Sequence, residues 1–299
     1  MFSVIIPAHN ESNVITRGLR ALTDGANPGD LEIIVVANGC QDDTAEKVRA
    51  FGHPDVRVIE TNIGSKTNAL NLGDQAATGF PRLYLDADVV LSLDSAREIS
   101  RVLAQGDVLA AAPAVETIYP SGTTWAVRAY YAFWMALPYI QEGMMAAGIY
   151  AVSRNGRARF DRFPDVIADD GYFRLLFPPA ERVEVRTARS VVSAPAKLWD
   201  LVLIKTRSRL GFYQLRMRFP ELFSQEAQTK EYGKALMAVL RRPRLWLCAA
   251  PYLWVNIVSR YRARRQALTL TGYIWERDNS SRIENDCKSV GTSAMNNDS

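Results

Sequence analysis

The sequence predicts an α/β fold in which helices flank a mostly parallel sheet, and three observations support this prediction. Short β-branched runs alternate with segments of helical periodicity over the first 115 residues, a pattern typical of a parallel sheet covered on both faces. A polar loop follows each of the first four runs, as expected at the carboxyl edge of such a sheet. The composition, 48% hydrophobic and 23% charged residues, is that of an ordinary globular protein.

Each element follows from the spacing of its apolar residues. The predicted strands of the first half are Ser3–Pro7, Leu31–Ala37, Val56–Glu60 and Pro81–Asp86. The predicted helices between them are Asn13–Leu22, Thr44–Phe51 and Lys66–Gln75. After Val115 the alternation stops, and the remaining predictions are a helix over Thr124–Tyr139 ending at Pro138, a strand over Met144–Val152, a helix after Asp169-Asp170, a strand over Val183–Arg186 and a helix over Lys197–Arg209.

Composition restricts the cellular setting. The three cysteines are scattered, and they lack both metal-ligand spacing and the even number of a disulfide framework. The opening residues have neither the basic region nor the long apolar region of a secretory signal peptide. We therefore expect reduced thiols and a cytoplasmic location.

The last quarter of the chain has a different character. Residues 241–265 contain seven arginines and no acidic residue, and Leu245–Val258 is nearly all apolar with a proline at position 251. This run is shorter than the ~20 residues that a straight membrane-spanning helix needs. Its Trp and Tyr residues and basic flanks favour a helix in a membrane interface, and a core helix packed on the α/β domain is the alternative. We predict a membrane-associating helical segment over residues 211–275 and a disordered polar tail over 276–299.

Two carboxylates mark the end of the fourth predicted strand, in the segment Leu83–Val90. Asp86 and Asp88 are one residue apart, and alternate residues of a strand point to the same side. Carboxylates rarely lie at the end of a buried strand unless they are paired or metal-bound. The motif therefore predicts a Mg²⁺ or Mn²⁺ site, although Asp-x-Asp also occurs in ordinary turns.

The polar loops after the four strands predict a nucleotide site. They offer amides, carboxylates and one lysine to a common edge of the sheet, and these groups suit a base, a ribose and a diphosphate. The four loops are Pro7–Ser12, Ala37–Thr44, Asn62–Asn71 and Asp86–Asp88.

These motifs, in this order, resemble those of the family 2 glycosyltransferases, which have the GT-A fold. The resemblance covers about residues 1–210 and implies a nucleotide-sugar half over 1–115 and an acceptor half over 116–210. It implies that the nucleoside pocket contains Pro7, Ala8 and Glu11. Asn38 takes the place of the family's base-contacting aspartate, and Lys66 corresponds to a residue near the donor phosphates.

The same resemblance assigns the carboxylates. Asp88 would bind the metal, and Asp86 would hold the ribose or the sugar of the donor. In the segment Ile167–Phe173, Asp169 takes the position of the family's Glu and Asp170 that of the general base, which removes a proton from the acceptor hydroxyl. The alternative for Asp169 is a helix cap, since Asp favours that position.

A third motif is a weaker match. Membrane-bound relatives carry Gln-x-x-Arg-Trp where this chain has Lys205–Gly211, which lacks both the Gln and the Trp. Arg207 or Arg209 is a candidate to pair with phosphate. A solvated basic helix face is the alternative.

The sequence therefore predicts an inverting, metal-dependent glycosyltransferase at the cytoplasmic face of the cell membrane. It would transfer sugar from a nucleotide-sugar, expected to be a UDP-sugar, to a carbohydrate or lipid-linked acceptor in polysaccharide or glycolipid synthesis. A nucleotidyltransferase is one rival, but it would need a Gly-rich basic loop after the first strand. A non-catalytic membrane-peripheral scaffold is another. Nucleic acid is not expected as a partner, because the basic residues lie beside an apolar aromatic segment.

Overall fold

A computed structural model describes residues 1–137, 147–224, 242 and 245–268. An eight-stranded sheet with the order β3-β2-β1-β4-β7-β6-β8-β5 forms its centre. The strands are β1 Phe2–Ala8, β2 Leu31–Asn38, β3 Val56–Thr61, β4 Arg82–Leu85, β5 Val90–Leu91, β6 Ala110–Ile118, β7 Ile149–Val152 and β8 Arg182–Ser193. The pairs β1/β2, β2/β3, β1/β4 and β6/β8 are parallel, and β4/β7, β6/β7 and β5/β8 are antiparallel.

Helices cover both faces of this sheet. In chain order they are α1 Ile15–Thr23, α2 Thr44–Phe51, α3 Lys66–Ala76, α4 Leu93–Ala104, α5 Trp125–Met135, α6 Arg154–Arg157, α7 Asp169–Leu176, α8 Leu198–Arg218 and α9 Trp246–Ala267. One core joins α1, α2 and α4 to the sheet, and a second joins α3, α7 and α8 to its other face. On β1, Val4 belongs to the first core and Ile5 to the second, because successive side chains of a strand point to opposite faces. The prediction of an α/β fold with a mostly parallel sheet is confirmed.

The first seven elements match their predicted bounds within two residues. One difference affects the predicted metal site. Strand β4 ends at Leu85, and Asp86 and Asp88 lie in a turn that the Val89 N–H closes by donating to the Asp86 carbonyl oxygen at 3.0 Å. The strand-alternation argument for these two carboxylates was therefore wrong, because a turn and not a strand positions them.

Elements of the second half differ more from their predicted bounds. Strand β8 has 12 residues where four were expected, and α8 continues nine residues past Arg209. Helix α5 ends at Met135, three residues before its predicted end at Pro138, which lies outside the described residues. Residues 144–146 of the predicted strand that contains β7 also lie outside them.

Helix α9 is the predicted C-terminal helical segment, and one of its faces is part of a small core. Val255 is fully buried against Tyr130 of α5 and Leu201 of α8. The opposite face is exposed, with Trp246 at 57% and Ile257 at 66% of their accessible surface. Within the described ranges no helix is long and apolar enough to span a membrane, and the predicted tail over 276–299 lies outside them.

Candidate active site

Hydrogen bonds join the loop after β1 to the loop after β2. The Glu11 N–H donates to Thr44 Oγ1 at 2.8 Å, and His9 Nδ1 lies 2.5 Å from the Asn38 carbonyl oxygen. Glu11 is 5% exposed, and Pro7 and Ala8 are buried at the end of β1. The residues predicted to contact a nucleoside therefore form one fixed wall.

Two glycines bring a third loop against this wall. Gly39 has φ of 58°, and a Cβ added there would lie 2.8 Å from the Gly64 Cα. No side chain fits between the two backbones, and the positive φ itself favours glycine. The loop that precedes α3 is therefore held directly beside Asn38.

Asn38 is 3% exposed and has a structural role. Its side-chain NH₂ donates to the carbonyl oxygens of Ala8 at 2.8 Å and Val36 at 3.3 Å. Because both bonds use the amide nitrogen, the side chain has its Oδ1 left to offer to a ligand.

Lys66 joins two of the predicted motifs. It begins α3, directly after the N-cap Ser65, whose hydroxyl accepts the Asn68 N–H. Its Nζ lies 2.7 Å from Asp86 Oδ1 and 3.0 Å from Asp169 Oδ1. Burial disfavours the ammonium charge, but Asp169 and Asp86 outweigh that effect, so the pKa of Lys66 lies above its usual value. The carboxylates after β4 and at the start of α7 thus meet at a single cation.

Sequence reasoning missed Tyr150 of β7. Its hydroxyl donates to Asp169 Oδ2 at 2.9 Å, and its ring stacks on Phe173 with centroids 4.4 Å apart. Tyr150 is 2% exposed and Asp169 is 3% exposed. One oxygen of Asp169 is therefore bonded to Tyr150 and the other to Lys66, while Asp169 also occupies the first position of α7.

Asp170, the next residue, has the properties of a proton acceptor. Burial, together with the charge of Asp169, raises its pKa from 3.8 to about 6. Its Oδ1 accepts the Gly171 N–H at 2.7 Å. A carboxyl group with this pKa is ionised at neutral pH and is more basic than an ordinary aspartate, which suits a general base.

Asp86 lies in the same electrostatic environment. Burial raises its pKa, Lys66 lowers it, and the nearby charges of Asp169 and Asp88 raise it further, so that the net direction is upward. Together with Asp170, these groups place four carboxylates and one ammonium close together. The site therefore carries surplus negative charge.

Helix α8 packs against the start of α7, next to Asp169. Gly211 and Leu215 of α8 pack on the segment that carries Asp169: a Cβ at Gly211 would lie 2.6 Å from the Ala168 Cβ. Arg207 lies four residues before Gly211 and hence on the same helix face. Arg207 therefore lies on the same side of α8 as the contact between Gly211 and Ala168.

Comparison with known proteins accounts for this arrangement. A model of glycosyl transferase family 2 matches residues 3–160, more than half of the chain. The chain belongs to glycosyl transferase family 2. The matched range contains the two nucleoside loops, Lys66, Asp86 and Asp88, and it ends before Asp170.

Two curated relatives of this family match part of the chain. Glycosyltransferase AglE of Haloferax volcanii is 33% identical over 132 residues, 42% of this chain and 43% of AglE. Probable glycosyltransferase YdaM of Bacillus subtilis is 39% identical over 93 residues, 29% of this chain and 22% of YdaM. The matches span less than half the length of either relative.

Solved structures show the same fold. The mannosyltransferase PcManGT from Pyrobaculum calidifontis, solved with GDP-Man and Mn²⁺, has a TM-score of 0.64 at 21% identity and covers 91% of this chain and 88% of its own. Glucosyl-3-phosphoglycerate synthase from Mycobacterium tuberculosis, solved with Mn²⁺, UDP-glucose and phosphoglyceric acid, has a TM-score of 0.50 at 19% identity and covers 73% and 79%. At these identities the likeness establishes the GT-A type of fold.

The family 2 site has the donor set for a divalent cation that also binds substrate phosphates. Among the described residues, no three His, Cys, Asp or Glu side chains form a group that could enclose a metal alone. Mg²⁺ commonly uses one or two carboxylates and takes its other ligands from phosphates and water. Asp86 and Asp88, close together beside surplus negative charge, fit that pattern.

Proposed function

We propose that the protein is an inverting, metal-dependent glycosyltransferase that moves a sugar from a nucleotide-sugar to a carbohydrate or lipid-linked acceptor. The observation that carries the proposal is the position of Lys66. Its Nζ contacts Asp86, on the donor side, and Asp169, on the acceptor side, at 2.7 and 3.0 Å. The two substrates of a transfer reaction would therefore meet at this point.

On the donor side, Pro7, Ala8 and Glu11 would bound the nucleoside pocket. Asn38 would offer its Oδ1 to an N–H group of the base, such as N3–H of uracil in the UDP-sugar proposed as donor. Lys66 would neutralise part of the diphosphate charge.

The remaining donor contacts involve Asp86 and Asp88. Asp86 would accept hydrogen bonds from the ribose or the sugar. Asp88 would hold the Mg²⁺ or Mn²⁺, which when bound stabilises charge on the leaving diphosphate.

On the acceptor side, Asp170 would remove the proton of the acceptor hydroxyl as its oxygen attacks the anomeric carbon. The new C–O bond forms on the face opposite the bond to the nucleoside diphosphate, which breaks, so the configuration inverts. Asp169 would stay ionised between Lys66 and Tyr150 and keep the start of α7 in place. Arg207 would supply positive charge to an acceptor or diphosphate phosphate group.

We further propose that α9 attaches the enzyme to the cytoplasmic face of the cell membrane, where surface polysaccharide or glycolipid would be made. Exposed Trp246, Leu253, Trp254 and Ile257 support this part of the proposal, because Trp and aliphatic side chains beside arginines suit a membrane interface. The packed face of α9 is what a core helix would have, and its exposed apolar face is what a helix in a membrane interface would have.

The test is calorimetric binding of UDP, GDP and CMP, with and without Mn²⁺. The variant is Asp88→Asn and its matched control is Asp94→Asn, because the Asp94 side chain is 94% exposed. We expect metal-dependent binding of one nucleotide, lost in Asp88→Asn and kept in the control. Equal binding by both variants would remove Asp88 from the metal site, and no binding of any nucleotide would favour the scaffold alternative.

A further inference from the structure

Three basic side chains meet where α5, α8 and α9 pack together, on the opposite face of α8 from Gly211. The Nζ of Lys205 lies 4.2 Å from the centroid of the Trp134 ring and 5.6 Å from that of Tyr130. Within the described ranges no carboxylate pairs with Lys205. Its ammonium is thus held on aromatic faces, which attract a cation without neutralising it.

Arg209, one turn further along α8, likewise has partners that do not neutralise its charge. Its Nε donates to Ser259 Oγ at 2.9 Å, and its Nη2 donates to Asn256 Oδ1. Both acceptors are neutral, so these bonds fix the direction of the guanidinium and leave its charge in place. Arg260, next to Ser259 on α9, is close enough to repel it.

Burial and the proximity of these cations lower the pKa values of two of them. Burial, followed by the charge of Arg209, lowers the pKa of Lys205 to about 8. Burial and the charge of Arg260 lower the pKa of Arg209. An anion between the three groups would relieve both effects, because opposite charge favours the ionised forms.

The cluster borders the exposed apolar face of α9. Trp246, Leu253, Trp254, Ile257 and Tyr261 are all at least 43% exposed. Their spacing of i, i+7, i+8, i+11 and i+15 puts them on one stripe of the helix. Arg260 is exposed and lies beside the end of this apolar stripe.

We propose that Lys205, Arg209 and Arg260 form a binding site for the phosphate of an anionic lipid headgroup, occupied when the apolar stripe lies in the membrane interface. The inference rests on the membrane attachment proposed above. It is favoured by charge complementarity and by continuity with the stripe, since a lipid presents a phosphate and acyl chains together. The site is separate from the catalytic centre, because Lys205 and Arg209 face α5 and α9.

The test is flotation of the full chain with vesicles of phosphatidylcholine alone or with phosphatidic acid added. Attraction of about fivefold per basic residue predicts roughly 100-fold tighter binding to the acidic vesicles for three charges. Lys205→Met with Arg260→Ser should reduce this preference to about fivefold. The matched control, Arg264→Ser with Arg265→Ser, removes two exposed charges from the same helix and should keep most of it.

If the two double variants lost the preference for acidic vesicles equally, the attraction would come from a diffuse basic surface, and the proposed headgroup site would be overturned. The same conclusion follows if the unaltered protein binds both kinds of vesicle equally, although membrane attachment would then stand. Binding to neither would overturn the attachment and the site together, and nucleotide binding would still test the transferase proposal. Thermal stabilisation by inorganic phosphate at constant ionic strength, lost in Lys205→Met with Arg260→Ser and without any preference for phosphatidic acid, would assign the site to free phosphate and overturn the lipid assignment.

The folding of each variant is checked by its thermal unfolding before flotation. A second variant, Trp254→Ser with Ile257→Ser, changes only exposed residues of the stripe and should abolish binding to both vesicles. If it kept full binding to the acidic vesicles, the headgroup site would not depend on the stripe, contrary to the proposal.

Discussion

Two buried carboxylates at opposite ends of α3 are surrounded by very different charges. Asp74, at its C-terminal end, pairs with Arg82 at 2.7 Å and Arg157 at 2.6 Å and accepts the Tyr84 hydroxyl at 2.6 Å. Asp169, beside the N-terminal end of α3, pairs with Lys66, which it shares with Asp86, and with no other cation among the described residues. Both aspartates are 3% exposed.

The comparison separates a structural cluster from a functional one. At Asp74, burial raises the carboxyl pKa, but hydrogen bonds from Arg157, Tyr84 and Arg82 more than reverse it, so the pKa is lowered. At the other end, Asp86 and Asp170 both have raised pKa values. Buried charge without compensation is costly, and a surplus of one sign complements a ligand of the opposite sign. The negative charges at Asp169 and its neighbours therefore support the proposal that a cation and a substrate bind there.

The largest expected effect in this comparison is on turnover. Asp170→Asn keeps the shape of the side chain and removes the base, so we expect transfer to fall by about 10²- to 10⁴-fold with nucleotide affinity unchanged. Sugar transfer and calorimetry measure the two quantities. Asp165→Asn, an exposed neighbour, is the control. In the unaltered enzyme, activity should rise as pH increases through about 6, the pKa of Asp170. Turnover by Asp170→Asn at the level of the control would remove Asp170 as the base.

The matching change at the other end of α3 should affect stability and leave catalysis intact. Asp74→Asn leaves two partly buried guanidinium groups without a carboxylate, which should lower the free energy of unfolding by about 3–5 kcal/mol. Because the pKa of Asp74 is lowered by folding, its stabilising contribution is present above its unfolded pKa of 3.8 and is lost as pH falls. Urea unfolding at pH 7 and pH 3 measures the difference, which should shrink at the lower pH. A large loss of kcat in the folded variant would contradict a purely structural role.

A smaller effect on stability is expected from changing the two tyrosines whose hydroxyls donate to these carboxylates. Tyr84 and Tyr150 are direct neighbours on β4 and β7, with ring centroids 5.2 Å apart. Each Tyr→Phe change deletes one hydrogen bond to a charged group, worth about 1.5–3 kcal/mol. Tyr84→Phe should lower only the free energy of unfolding. Tyr150→Phe should in addition lower kcat about tenfold, because Asp169 loses a fixed partner. Equal kcat values in the two variants would show that Tyr150 does not position the site.

The last prediction concerns the stability of Asp170→Asn, which should change in the opposite direction to its activity. The pKa of Asp170 rises from 3.8 unfolded to about 6 folded, so its charge destabilises the native state above pH 6, and this penalty disappears below about pH 4. Asp170→Asn should therefore raise the free energy of unfolding at pH 7.5, by up to about 3 kcal/mol for a shift of this size, and leave it unchanged at pH 3.5. Denaturant titrations at both pH values check this, and destabilisation at pH 7.5 would contradict it.

The sequence predicts the elements from β1 to β4 well because their signals are local. Alternating strands and helices are visible in short windows, and Lys66, Asp86 and Asp88 belong to continuous motifs that end or begin an element. Asp169 and Asp170 were also found in this way. The meeting of Lys66 with both carboxylate pairs depends on the strand order, in which β7 lies next to β4, and no local pattern contains that order.

The missed features depend on contacts between distant segments. Tyr150 lies in a strand of four residues, and nothing near it in the sequence marks its hydroxyl as a partner of Asp169. Helix α8 was predicted to end at Arg209, two residues before Gly211, and glycine is a weak helix former. In the structure this glycine is required inside the helix, because Ala168 occupies the space that a Cβ would need.

The contact between Gly211 and Ala168 also has a mechanical consequence. Helix α8 is a single rod of 21 residues, about 32 Å long, clamped by α9 along one side and touching the acid–base segment along the other without a gap. Close-packed protein interiors have low compressibility and transmit strain. A displacement of α9 would therefore be passed through α8 to the segment that carries Asp170, so that the proposed membrane attachment and the alignment of the proposed base would be mechanically coupled.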